Sequence, residues 1–436
     1  MCANWFSVRS GLRLISELVG GSRSTEFKKR ERHFTRSGPI SPDLLVTLLL
    51  YLVADGGRRG YAHLLDGFWD EAQEQGVPLP TEKPVSAAAF CKARHKLKPD
   101  ALRVLLGQST ESFESAHGVD HRFKGRRVFA VDGTKISTQR SPALWQAFGG
   151  PTGGHNPQIL VSVLHDVVAN LPMDATVAPC DGSERDELRL LLKNRQPGDV
   201  VVLDRGYPSY DLIDELLERG IDFVIRVPTS NSFHAIGTFV ESGGTDYQIL
   251  LHTQIGSHHR RREPLKVRAV RRDGKDGEAQ VFLTSLDRTE FTRGQILQLY
   301  QMRWQVELFY RLEKGDYIGQ GQFHARTPEG IEQEVLAFLL YVTLCRHLMA
   351  SAARLHQVPY DLISQKGAIL AAGAYLVRLL CALDEHEATR HLTRLLERMA
   401  RRLEPKRPGR SFPRRSFKPR PRWTATGRHG DQARPS

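Results

Sequence analysis

Asp199-Val-Val-Val-Leu-Asp204-Arg205-Gly206-Tyr207 is the stretch whose reading decides the fold. Four apolar residues, three of them β-branched, are bounded by carboxylates, which predicts a strand with an apolar core. It ends in an aspartate just before a glycine-containing turn. Upstream, Arg127-Val-Phe-Ala-Val-Asp132-Gly133 repeats the plan. Between them, residues 155–168 predict a second strand, with Ile159, Val161, Val163 and His165 alternating, and residues 170–180 a third. Ser183 opens a helix, and a further helix (212–219) and strand (222–227) follow Tyr207. Three strands, then helix–strand–helix–strand, is an α/β pattern.

The flanks differ in texture. Residues 1–120 read as helical: Ser41-Pro42 is an N-cap and N1 pair, Ser86 caps a helix over 87–96, and Pro99 starts a third. Arg94, Lys96 and Lys98 could reach phosphates, although an ordinary helical bundle with surface cations is the plainer reading of any one of them. Residues 229–290 alternate in short stretches broken by Gly, Asp and Arg, which predicts an antiparallel β insertion. The α/β region thus spans 121–345, with helices over 346–400 and a tail over 401–436.

Composition narrows the class. The chain has 436 residues and a formal net charge of +13. Of this, +10 falls in residues 401–436, where 12 Lys/Arg face only Glu404 and Asp431. Its Pro, Arg and Ser content predicts a basic disordered tail, and such arms bind nucleic acid through counterion release. The five cysteines are far apart with no CxxC, so neither a disulfide framework nor a zinc site is expected, and a reducing cytoplasm fits. The longest apolar run, 44–54, suits a buried helix better than a membrane span, and the N-terminus lacks a signal-peptide pattern. No membrane association is expected.

The chemistry gathers in Tyr300-Gln-Met-Arg303-Trp-Gln-Val-Glu307-Leu-Phe-Tyr-Arg-Leu-Glu-Lys314. On one ideal helix, Tyr300, Arg303, Glu307 and Lys314 share a wedge of about 60°, while Met302, Val306 and Phe309 face the other way. The plainest reading is a solvated helix whose i,i+4 pairs each contribute roughly 0.2–0.5 kcal/mol. The sharper one joins Glu307 to Asp132 and Asp204 at neighbouring strand ends. Three carboxylates without His or Cys favour a hard ion, Mg²⁺ or Mn²⁺, and a pair of such ions serves phosphodiester chemistry. Glu313 and Glu334 are rival third carboxylates; Glu313 falls on the core side of the wheel and Glu334 in a different helix. Gly149-Gly150-Pro-Thr-Gly153-Gly154 lacks the Gly-Lys-Ser/Thr of a P-loop and reads as a loop. His258-His259 with Arg260-Arg261-Arg262 reads as an exposed basic loop, and Trp145 and Trp304 as packing residues rather than base-stacking ones.

Asp132-Gly133-Thr134, Asp204-Arg205-Gly206-Tyr207 and Tyr300-x2-Arg303-x3-Glu307-x6-Lys314 together resemble the DDE transposases of the insertion-sequence-4 family, over roughly residues 125–345. The resemblance implies an RNase H-like catalytic core carrying the β insertion, preceded by a helical N-terminal DNA-binding domain (1–120). It implies a triad of Asp132, Asp204 and Glu307 holding two Mg²⁺ ions, and DNA phosphates contacted by Tyr300, Arg303 and Lys314. Arg205 and Tyr207 read either as phosphate or supporting contacts or as shapers of the turn. The implied activity is cut-and-paste transposition, with a dimer acting on paired inverted-repeat ends and target DNA in a prokaryotic cytoplasm. A nuclease without strand transfer and an inactive end-binding descendant are the alternatives.

Overall fold

The computed structural model describes residues 24–36, 38–56, 59–230, 233–252, 263–274, 278–312, 323–380 and 385–404. Lys314, Glu313, the His258–Arg262 loop and the tail beyond 404 lie outside the described residues.

Eight strands form one mixed sheet: β1 (Val128–Ser137), β2 (Gln158–Asp166), β3 (Leu171–Pro179), β4 (Val200–Leu203), β5 (Asp222–Val227), β6 (Asp246–Leu251), β7 (Leu265–Asp273) and β8 (Ala279–Thr284). Their order is β3-β2-β1-β4-β5-β8-β7-β6. β1, β4 and β5 run parallel, with Ala130 opposite Val202 and Val202 opposite Val224. The predicted insertion is antiparallel and extends the same sheet, because β8 pairs with β5. Pairing there removes an open edge of β5. The insertion also contains the helix His234–Glu241, which the reading of short alternating stretches did not anticipate.

Strand periodicity places the two faces. Val128, Ala130, Val200, Val202 and Val224 belong to one core, while Phe129, Val131, Val201, Leu203, Phe223 and Ile225 belong to the other. Successive side chains point to opposite faces, so a sheet buried on both sides needs continuous apolar runs. The second face packs on Glu184–Leu192, Tyr210–Glu218 and His234–Glu241. The first face shares its core with the helices Pro42–Ala54, Tyr61–Glu74, Pro99–His117, Arg293–Met302 and Pro328–His356. The predicted caps form: the Ser41, Ser86 and Ser183 side chains accept from the amides of Leu44, Ala89 and Asp186.

Pro328–His356 has the length and hydropathy of a membrane span, yet 94% of its most apolar window is buried inside the protein. Its long apolar stretch is surrounded: Pro42–Ala54, Pro99–His117, Glu385–Ala400 and β3 pack against this helix.

Two local expectations are corrected. β1 does not stop at Asp132 but continues to Ser137, held by β2 as far as the Ser137–Gln158 pair. Its pairing with β4 ends at Ala130, so Asp132 stands where β1 outruns its parallel neighbour. Nor is the Tyr300 segment one helix: Arg293–Met302 and Trp304–Leu312 are separate, with Arg303 between them. There the hydrogen bonds close over three residues, Arg303 N to Tyr300 O at 3.2 Å and Val306 N to Arg303 O at 3.1 Å. That tightening marks a 3₁₀-like step. It coincides with burial of the Arg303 guanidinium, which lies 5.7 Å from the Tyr300 ring centre.

Candidate active site

Asp132 shares the even-numbered face of β1 with Val128 and Ala130, and Asp204 extends the Val200–Val202 face just beyond β4. Both therefore point to the side where Tyr300, Val306, Phe309 and Tyr310 are buried. Tyr300 donates to Asp204 Oδ1 at 3.0 Å, and the Arg205 amide donates to the same oxygen at 2.7 Å. Arg303 Nη2 donates to Glu307 Oε1 at 2.6 Å. The Asp132 carboxylate accepts from the Gly133 amide at 3.1 Å.

Arg303 is the common charge. It bears on Asp132, on Asp204 and on Glu307. The two aspartates nevertheless titrate apart. Burial lifts the Asp132 pKa to about 6; Arg303 and the Gly133 amide oppose the rise, while Glu184 and Glu307 add to it. Burial would also raise Asp204, but the Arg205 amide, Arg303, the Tyr300 phenol and Arg226 outweigh it and hold Asp204 below the usual carboxylate range. Burial and the Asp204 charge push the Tyr300 phenol up.

Asp132, Asp204, Glu307, Arg303 and Tyr300 are thus brought together. Two other predicted residues are placed differently. The Arg205 side chain is exposed, and only its amide serves Asp204. Tyr207 is buried and donates to Glu184 Oε2 at 3.3 Å. Its phenol is raised by burial and by the Glu184 and Asp132 charges. Glu184, the first residue of its helix, is a fourth carboxylate that the sequence reading missed. It passes so close to Gly133 that a Cβ there would stand 2.8 Å from its Cδ. Arg226 was missed as well; its even-numbered place after Val224 in β5 was the available signal.

Tyr310, three residues past Glu307, was the third omission. Its hydroxyl donates to the Asp132 carbonyl and accepts from the Val163 amide at 3.2 Å. Asp132 and Val163 are directly paired across β1 and β2, so one phenol pins the Glu307 helix to the backbone of Asp132. Tyr310→Phe is expected to cost about 1–3 kcal/mol by leaving these buried groups short of a partner. Urea unfolding measures the cost, and faster amide exchange at Val163 should accompany it; unchanged stability would mean that the phenol is dispensable to the β1–β2 ladder.

The donor set suits a hard divalent cation, since the converging ligands are carboxylates without His or Cys. Among the described residues, however, no three such groups already form a closed cage, and Glu307 is engaged by Arg303. The buried Arg303 Nε has no hydrogen-bond partner among the described residues, which leaves a donor for an anionic oxygen. Trp145 lies against Gly150, where a Cβ would come within 2.8 Å of its ring, so it packs the Gly-rich loop.

Fold and site together define an α/β protein that gathers carboxylates, a guanidinium and a phenol on one side of its sheet. The sequence family described as Transposase DDE domain matches residues 123–344, and the chain belongs to that family. It is 24% identical over 292 residues to Transposase InsG for insertion sequence element IS4 of Escherichia coli (strain K12), covering 64% of each chain. It is 23% identical over 236 residues to a probable transposase for insertion sequence element IS5377 of Geobacillus stearothermophilus, covering 54% of this chain and 60% of the relative. The resemblance to insertion-sequence-4 transposases is borne out, over less than two thirds of those relatives' lengths. A piggyBac transposase solved as a synaptic complex with hairpin DNA overlays with a TM-score of 0.46 at 11% identity, covering 92% of this chain and 87% of that one.

Proposed function

We propose that this protein is a DNA transposase that cuts transposon ends and joins them to target DNA. The observation that carries this reading is the convergence of Asp132, Asp204 and Glu307 around Arg303 in a chain of the transposase DDE family. β1–β5 would be the RNase H-like core of a catalytic domain (121–345), with the insertion about 229–290. Residues 1–120 would bind DNA, 346–400 would support the core, and the basic tail (401–436) would add phosphate contacts. The active form would be a dimer on paired ends.

Asp132, Asp204 and Glu307 would hold two Mg²⁺ or Mn²⁺ ions. Such ions supply activation of the attacking oxygen and stabilisation of the leaving one. As a metal ligand Glu307 would give up its contact with Arg303, whose guanidinium would then be available to a phosphate oxygen. Its Nε is already poised as an unsatisfied donor. Tyr300 would orient Asp204, and Tyr310 would fix the distance between the Glu307 helix and β1. Lys314 would extend the cationic rim along the DNA.

The test is a duplex carrying the inverted repeats that flank this gene, incubated with the protein, Mg²⁺ and a target plasmid. Cleavage at the repeat ends with joined products is expected. Cleavage without joining would make the protein a nuclease, and binding without cleavage an inactive end-binding descendant.

A further inference from the structure

A second basic feature lies in the N-terminal region. Residues 32–36 and 38–40, with the helix Ala87–Arg94 and Lys96 just beyond it, enclose an open groove of about 540 Å³. Arg32, Arg36, Lys92 and Lys96 line it, and no acidic residue does. Arg32, Arg36 and Lys92 are exposed and Lys96 is half-buried. Among the described residues none of the four has a carboxylate within ion-pair distance, whereas the neighbouring Lys29 is paired with Glu329. The groove is fixed rather than loose. The Lys29 amide donates to the Lys96 carbonyl at 3.0 Å, Lys28 bridges Leu97, and Lys96 stands over the Phe34 ring at 5.6 Å. Nearby His33 is held below its ordinary pKa by burial and by the charges of Arg30, Lys96 and Arg32.

Four uncompensated cations on two rigid walls repel one another, and that repulsion is relieved when a polyanion enters. The opening is too small for a duplex but suits one phosphate ridge of it. We infer that this groove grips the phosphate backbone of duplex DNA, outside the active site and without reading sequence. The inference rests on the transposase reading and gives it a binding face. It also replaces the sequence-based expectation for Arg94, whose guanidinium is already engaged by Glu334, Gln333 and the Gly330 carbonyl.

The experiment measures binding of the full-length protein to a random-sequence duplex over a salt series. Each phosphate neutralised contributes about 0.9 to the slope of log K against log salt, so Arg32→Gln/Arg36→Gln/Lys92→Gln/Lys96→Gln should lower the slope by about 3–4. Between 50 and 200 mM salt the variant should then lose about 100-fold less affinity than the parent. Should Lys96→Gln disturb the packing on Phe34, the triple variant with Lys96 retained should still lower the slope by about 3. Because phosphate contacts carry no sequence information, binding to inverted-repeat and random duplexes should weaken by the same factor. An unchanged slope in the variants, when the parent binds DNA, overturns the groove assignment alone. A parent that binds no duplex overturns both the groove and the transposase reading.

Discussion

Glu307→Gln is expected to reduce metal-dependent cleavage of inverted-repeat DNA by about 10³-fold or more, a loss of about 4 kcal/mol in the barrier. The substitution keeps the side chain's volume and an oxygen able to accept from Arg303, so the local contact at 2.6 Å survives. It removes only the charge. The Glu307 side chain is 30% exposed, so loss of this ion pair should change stability little. DNA binding at matched salt should stay within a factor of about 3, because the phosphate contacts that dominate affinity lie on cations elsewhere. Cleavage on an end-labelled duplex and a mobility-shift titration read the two quantities separately. Cleavage at the parental rate would remove Glu307 from the triad. A fall in binding as large as the fall in cleavage would make it a DNA-positioning group instead.

The sheet was legible because its strands are apolar runs with turn residues between them, and the period of two then fixes which residues share a face. Asp132 and Asp204 could be placed together because both lie at the ends of apolar runs expected to be neighbours in one sheet. The convergence of Glu307 was legible through its spacing from Arg303, a contact local enough to survive the break at Arg303. The break itself was not legible, because no Pro or Gly marks it; it goes with tertiary burial of a guanidinium. Glu184 was hidden for a similar reason. It is an ordinary first-turn acid of its helix, and only the absence of a Cβ at Gly133 lets it approach the site. Tyr207 read either as a phosphate or supporting contact or as a shaper of the turn; the turn after β4 buries its ring and sends its hydroxyl to Glu184. Arg94 carries a charge typical of the surface in a helix with little periodicity, so nothing local separated a phosphate contact from a buried partner 240 residues away.

That partner, Glu334, gives the largest expected effect on stability. Arg94 Nη1 meets Glu334 Oε1 at 2.8 Å, with both side chains 6% exposed. The remaining groups are satisfied: Arg94 also donates to Gln333 at 3.1 Å and to the Gly330 carbonyl at 2.7 Å, and Glu334 Oε2 accepts from the His324 amide at 2.8 Å. Removing one member of such a pair leaves a charge without its partner at a largely buried position. Glu334→Ala is therefore expected to destabilise the protein by about 3–5 kcal/mol. The double change Arg94→Met/Glu334→Leu should cost less than Glu334→Ala alone, since it buries no unpaired charge. Urea unfolding of the three proteins closes the comparison, and a Glu334→Ala loss below about 1 kcal/mol would mean that the Arg94 charge finds other compensation. The same variant also separates the rival third carboxylates. At low temperature, where Glu334→Ala remains folded, it should cleave end DNA at a rate set by its folded fraction, whereas Glu307→Gln should stay folded and fail to cleave.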